Sequence, residues 1–116
     1  MRFVNLTPHE VTLIRDDSTK ITVEPSGTIC RLETENDPTP QLTLSGIPVH
    51  TVPVYTEVSN LPDPENGTVY IVSLLVIQNI NYSERQDVVA PDTGPESSVR
   101  DENGRIIGVK KLLMPH

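Results

Sequence analysis

Short alternating runs broken by turn residues dominate the chain. "FVNL" (3–6) reads as a strand and "TPHE" (7–10) as a turn, with Thr7 held extended by the proline after it. "VTLIR" (11–15) alternates, the polar loop "DDST" comes next, and "KITVE" (20–24) alternates again, which predicts a hairpin. "PSG" (25–27) is a turn signal, and "TICRLETE" (28–35) predicts the next strand. Within it Cys30 and Leu32 share one face, while Ile29 and Arg31 share the other.

The period changes after residue 35. Residues 36–68 carry short β-like pieces, "QLTL" and "VHTVPVYTEV", between proline breakers. Pro48 and Pro53 lack the N–H that a ladder needs, so this region predicts an edge or an excursion, not a central strand. "TVYIVSLLVIQNINY" (68–82) is the most apolar stretch and exceeds an ordinary strand in length. It reads as a buried strand "VYIV" and a short helix capped by Ser73. Leu74, Ile77 and Ile80 would share the helix's buried face, with Val76 beside them. One long strand is the alternative, because the segment is rich in β-branched residues. "RQDVVAPD" predicts a short strand ending at Pro91, "TGPESS" a loop, and "SVRDENGRIIGVKKLL" a terminal hairpin. Asn103-Gly104 there predicts a two-residue type I′ turn. The pattern predicts a β-rich α+β fold: an antiparallel sheet of short strands, one short helix and a C-terminal hairpin. Residues 1–116 form a single domain, with a proline-rich excursion at about 36–68.

Composition sharpens this picture. Phe3, Tyr55, Tyr70 and Tyr82 are the only aromatics, so branched aliphatics must build the core. Eleven prolines are about twice the usual share. A chain of 116 residues buries a modest share of its surface, which favours a homo-oligomer. The net charge is −7, carried by an acidic middle between weakly basic ends. Long nucleic acid is a poor partner for such a chain, since a broad basic surface supplies most of that affinity. A small anion needs only two or three donors. No run nears the roughly 20 apolar residues of a membrane span, and the start has no apolar signal segment. A soluble cytoplasmic protein is expected.

Catalytic constellations are not evident. No G-x-S-x-G surrounds a serine, and a helix cap explains Ser73. Cys30 reads as a small buried residue and His9 as a turn residue. One cysteine and the scattered His9, His50 and His116 do not make a zinc site. The pairs Asp16/Asp17 and Glu33/Glu35 read as solvated positions. No enzyme, cofactor or metal is predicted.

The arginines are the remaining candidates. Arg31, Arg85, Arg100 and Arg105 all fall at strand ends or beside turns, among only six arginines in the chain. Each also has a plain reading: Arg85 pairs with Asp87, and Arg100 and Arg105 pair across their hairpin with Asp101 or Glu102. A guanidinium fork takes phosphate or carboxylate bidentately. Tyr82 offers a stacking face near Arg85. With no nucleophile or metal beside them, the chemistry is capture, not turnover.

"NLTPH" (5–9), "PSGTICR" (25–31), "YIVS" (70–73) and "VRDENGRIIGV" (99–109), in this order, resemble the Thoeris anti-defence sponge family of phages and prophages. The frame spans nearly the whole chain. The resemblance implies a homo-oligomer in the host cytoplasm that sequesters, without cleaving it, a cyclic ADP-ribose-type signal or a cyclic oligonucleotide. It also implies that Arg31, Tyr82 and one or both of Arg100 and Arg105 grip the ligand near subunit boundaries. Two other readings of the sequence stand beside it. One is a small phage structural or decoration protein with extended arms. The other is an inhibitor whose acidic segments, 33–37 or 57–65, engage a basic host protein.

Overall fold

The computed structural model describes residues 1–35 and 39–116. Along the chain run β1 (Arg2–Asn5), β2 (Val11–Ile14), β3 (Lys20–Val23), β4 (Arg31–Glu35), β5 (Leu42–Leu44), β6 (Ile47–Val49) and β7 (Val54–Ser59). Then come β8 (Thr68–Ile71), a single helical turn α1 (Leu74–Ile77), β9 (Val88–Pro91), β10 (Ser98–Arg100), β11 (Ile106–Val109) and β12 (Leu112–Leu113). The chain is β-rich with one short helix, as its pattern predicts.

Two four-stranded sheets form the body, in the orders β1-β8-β9-β12 and β10-β11-β2-β3. Pairing is mixed and not purely antiparallel: β8 runs parallel to both β1 and β9, and β11 parallel to β2. Parallel neighbours need a crossover, and α1 with its flanking loops carries the chain from β8 to β9. β8 is covered on both faces. Tyr70 and Val72 face one cluster with Leu6, Cys30, Val76, Ile77, Ile80, Val88 and Ala90. Ile71 faces the other, with Leu13 and Val109. Burial on both sides is why this strand reads as an unbroken apolar run. Each such side chain contributes roughly 1.5–3 kcal/mol relative to exposure.

Ser73 caps α1 as expected: its backbone is extended and its hydroxyl accepts the Val76 N–H at 3.3 Å. The helix stops after one turn, since Val76, Ile77 and Ile80 are β-branched and Asn79 and Asn81 favour turns. Leu74, expected on the buried face, points outward with Leu75, while Val76, Ile77 and Ile80 pack inward.

The proline-rich excursion supplies the hairpin β5–β6 and the strand β7, which pairs with β4 before it; among the described residues neither ribbon pairs with a further strand. Residues 36–38 of that segment lie outside the described residues. The type I′ geometry predicted at Asn103-Gly104 occurs here instead: Ser45 and Gly46 both have positive φ, 49° and 81°. In the terminal hairpin Gly104 has φ 81°, and Asn103 is not among the residues with positive φ. Gly104 N–H donates to the Asp101 carbonyl, and Asp101 N–H to the Arg105 carbonyl. The register shifts between Val99 and Arg100. This is a wider loop with a left-handed glycine and a bulge, drawn together by the Asp101 carboxylate, which accepts the N–H groups of Asn103 and Arg105. The chain then leaves the hairpin at Lys110–Lys111, and β12 closes the first sheet against β9.

Candidate ligand-binding site

Because β1 and β8 are parallel, their carboxyl ends open on the same side of the sheet. Asn5, fully buried at the end of β1, organises the turn beyond it. Its amide donates to the carbonyls of His9 and Val23, at 2.7 and 3.0 Å. Its side-chain oxygen accepts the Thr7 N–H and hydroxyl, at 2.9 and 2.6 Å. The turn Leu6-Thr7-Pro8 is thereby fixed beside Ser73 at the end of β8. Cys30 N–H donates to the Leu6 carbonyl and brings the entry of β4 alongside.

A cavity of about 430 Å³ lies between these elements, walled by Thr7, Pro8, Arg31, Tyr55 and Ser73 among others. Small-molecule sites usually fall between about 300 and 1,000 Å³ and are mainly apolar with a few convergent polar groups. Arg31 is exposed at its wall and takes no part in the ion pairs among the described residues. Tyr55 on β7 supplies a phenol ring to the same cavity, and the β4–β7 register sets it opposite Thr34. A guanidinium and an aromatic ring lining one cavity suit an anion attached to a planar group. Ser73 holds the helix cap, and burial pushes the Cys30 thiol up, with the Arg85 charge opposing this in part. Neither is an activated nucleophile. Among the described residues no group of three or more His, Cys, Asp or Glu is gathered that would hold a metal. None of their helices is long and apolar enough to cross a membrane.

The other arginines lie elsewhere. Arg85 forms a bidentate pair with Asp87, at 2.9 and 3.0 Å, and donates to the Pro62 carbonyl at 2.8 Å. Its guanidinium sits 5.9 Å from the centre of the Tyr70 ring. The plain reading of this pair is the one the fold uses. Arg85 also lines a polar cavity of about 500 Å³, but Glu65, Glu84 and Asp87 surround it there. Arg100 donates to the Gly104 carbonyl at 2.6 Å and belongs to its own hairpin. Arg105 is exposed on that hairpin, outside the ion pairs of the described residues. Tyr82 is exposed, and its N–H donates to the carbonyl of His116. Tyr82, Arg100 and Arg105 line neither the Arg31 cavity nor the Arg85 cavity. Of the five candidate residues, the chain brings only Arg31 to the ends of β1 and β8.

Tyr55 is the site residue that the sequence alone did not single out. It lies in the proline-rich excursion, and only the pairing of β7 with β4 brings it to the cavity that Arg31 also lines. The signal available was its place in "VPVYTEV", a β-like piece whose partner strand cannot be read from its own residues. Comparison with known proteins found no matching family model, no matching curated protein and no matching solved structure.

Proposed function

We propose that the protein is a phage-encoded anti-defence protein that captures a cyclic nucleotide signal without converting it. The signal is of the cyclic ADP-ribose type or a cyclic oligonucleotide, as the resemblance to the Thoeris anti-defence sponges implies, and capture takes place in the host cytoplasm by a homo-oligomer. The observation that carries this reading is the Arg31 guanidinium, in no ion pair of the described residues, lining with Tyr55 the cavity at the ends of β1 and β8. A phosphate meets the fork there, and a base or ribose has the ring and the apolar wall.

Calorimetric titration with cyclic ADP-ribose isomers and cyclic oligonucleotides tests the reading. Arg31→Ala should weaken binding at least about tenfold, since it removes the charged partner of a partly desolvated anion. Arg31→Lys should restore little, because an ammonium lacks the planar fork. Tyr55→Ala should lose about tenfold through lost stacking. Arg105→Ala, on its separate hairpin, reports whether a second subunit reaches the same ligand: a loss like that of Arg31→Ala places it there. No heat from folded wild-type protein with any of these ligands ends the reading.

A further inference from the structure

The β5–β6 hairpin has an apolar face that the described residues leave largely bare, with Val49 alone half-buried. In its register Leu42 lies opposite Val49 and Leu44 opposite Ile47. Side chains directly opposite each other, and those two apart on a strand, share a face. These four therefore project together, with Thr43 and Pro48 on the reverse. Leu42, Leu44 and Ile47 are 50, 61 and 64% exposed. A lone two-stranded hairpin is marginal in water, so this face needs a cover. The radius of gyration is 17.0 Å. A compact chain of this length has roughly 13 Å. The excess fits an arm standing off the body.

The ribbon at the arm's root carries an unresolved charge conflict. Glu33 and Glu57 are directly opposed in the β4–β7 register. Like charges so placed repel. Ser59 donates a hydrogen bond to Glu33, but among the described residues no cation pairs with either carboxylate.

The complement of both features lies elsewhere in the same chain. Between the β2–β3 loop and the β11–β12 link is a cleft of about 590 Å³. Phe3, Leu13 and Leu112 line its apolar part, and Arg15, Lys110 and Lys111 its basic part. These three are a third of the nine basic side chains in the chain. Lys111 is shared with Asp92 at 3.4 Å and Arg15 touches the Thr19 hydroxyl, whereas Lys110 is in no ion pair of the described residues. Asp16 and Asp17 also line the cleft, but Asp17 is turned onto the N–H and hydroxyl of Thr19.

We propose that the arm docks in this cleft of a second copy of the chain, reciprocally, as a two-fold dimer. The face of Leu42, Leu44, Ile47 and Val49 covers the apolar floor, and the Glu33/Glu57 pair meets the Arg15 and Lys110 cations. A one-way contact of this kind leaves a bare arm and an open cleft on each pair and builds on into a ring or a fibre, whereas reciprocal exchange uses both surfaces within a pair. This assignment rests on the homo-oligomer of the proposed function but not on its ligand. Hydrodynamics tests the one and calorimetry the other.

The experiment is analytical ultracentrifugation at micromolar concentration with two double variants. Leu44→Asp with Ile47→Asp spoils the arm, and Arg15→Glu with Lys110→Glu spoils the cleft; circular dichroism checks that each is folded. Wild type should be a dimer. Each variant alone should be a monomer, its dissociation constant raised at least about a hundredfold by loss of anchor contacts. An equimolar mixture should regain a heterodimer, since it restores one intact arm on one intact cleft. A monomeric wild type would overturn the proposal and leave the arm to some other partner. A dimeric arm or cleft variant, or a mixture that stays monomeric, would overturn it too while leaving ligand capture untouched.

Discussion

Arg85 and Asp87 stand two residues apart, and their spacing alone suggests an ion pair as readily as a ligand site. The structure gives them the pair, with side chains only 16 and 20% exposed. Arg85 also ties the loop at Pro62 to the entry of β9, a link no local pattern could reveal because its acceptor is a backbone carbonyl 23 residues away. Asn5 is equally opaque: nothing in "FVNLT" says that its amide will span two carbonyls from different segments. The Arg85–Asp87 pair has a pH signature. Hydrogen bonds from Arg85 hold the Asp87 carboxyl below its usual value, with burial opposing. A carboxyl depressed in the folded state stabilises fully above its unfolded pKa, about 3.9, and that stability is lost as pH falls through the folded value. Asp87→Asn should therefore cost about 1–2 kcal/mol at pH 7, less than for a fully buried pair because water still reaches this one. The gap from wild type should begin to narrow as pH falls below about 4, where the unfolded chain takes up the proton, and should close only below the depressed folded-state value. Urea unfolding at pH 7, 5 and 3 measures it, and a gap as large at pH 3 as at pH 7 would rule out this account.

Elements are legible where their cause is local. Alternation locates the β2–β3 hairpin and β9, and the apolar run with Ser73 locates β8 and α1. Parallel pairing is hidden because β1 and β8 meet across more than sixty residues, and no period in either names its partner. The misplacement of Leu74 has a related origin. A helix of one turn has too few residues for its stripe to be fixed by periodicity, and the fold chose Val76, Ile77 and Ile80 for the core. Asn103-Gly104 shows how a dipeptide can signal the right hairpin and the wrong turn. Only Gly104 is left-handed, with φ 81°, and a Cβ there would meet no atom within 4 Å. Gly104→Ala should then cost about 1–2 kcal/mol from backbone strain alone. Asn103→Ala should change stability by less than about 0.5 kcal/mol, as ordinary surface positions do. Type I′ geometry would make both costly, so thermal melts of the two variants separate the turns.

At the scale of the molecule, charge distribution foretells more than arrangement. The basic ends and acidic middle are visible in the sequence, and Arg15 and Lys110 do meet at one cleft while Glu33 and Glu57 oppose each other on a ribbon. The prolines mark an excursion, but local patterns give no sign that among the described residues its strands form two-stranded ribbons paired with neither four-stranded sheet. That separation carries the last prediction. The ladder bonds of β5 and β6 run only to each other, and the Gln41 N–H donates to Val49 within the same hairpin. Replacing residues 41–50 by Gly-Ser-Gly removes no hydrogen bond from the two body sheets. It also shortens the loop between β4 and β7, and closing a shorter loop costs slightly less entropy, by a few tenths of a kcal/mol. The two core clusters, and the Asn5 bonds that shape the Arg31 cavity, contain no residue of the deleted segment. The shortened protein should therefore fold, with a single thermal transition by circular dichroism close to that of a monomeric variant with the full arm. It should be monomeric by ultracentrifugation at micromolar concentration, where the proposed arm-in-cleft dimer of the wild type forms. Failure to fold as a monomer would show that the hairpin is part of the body after all, and that its uncovered face is no free arm.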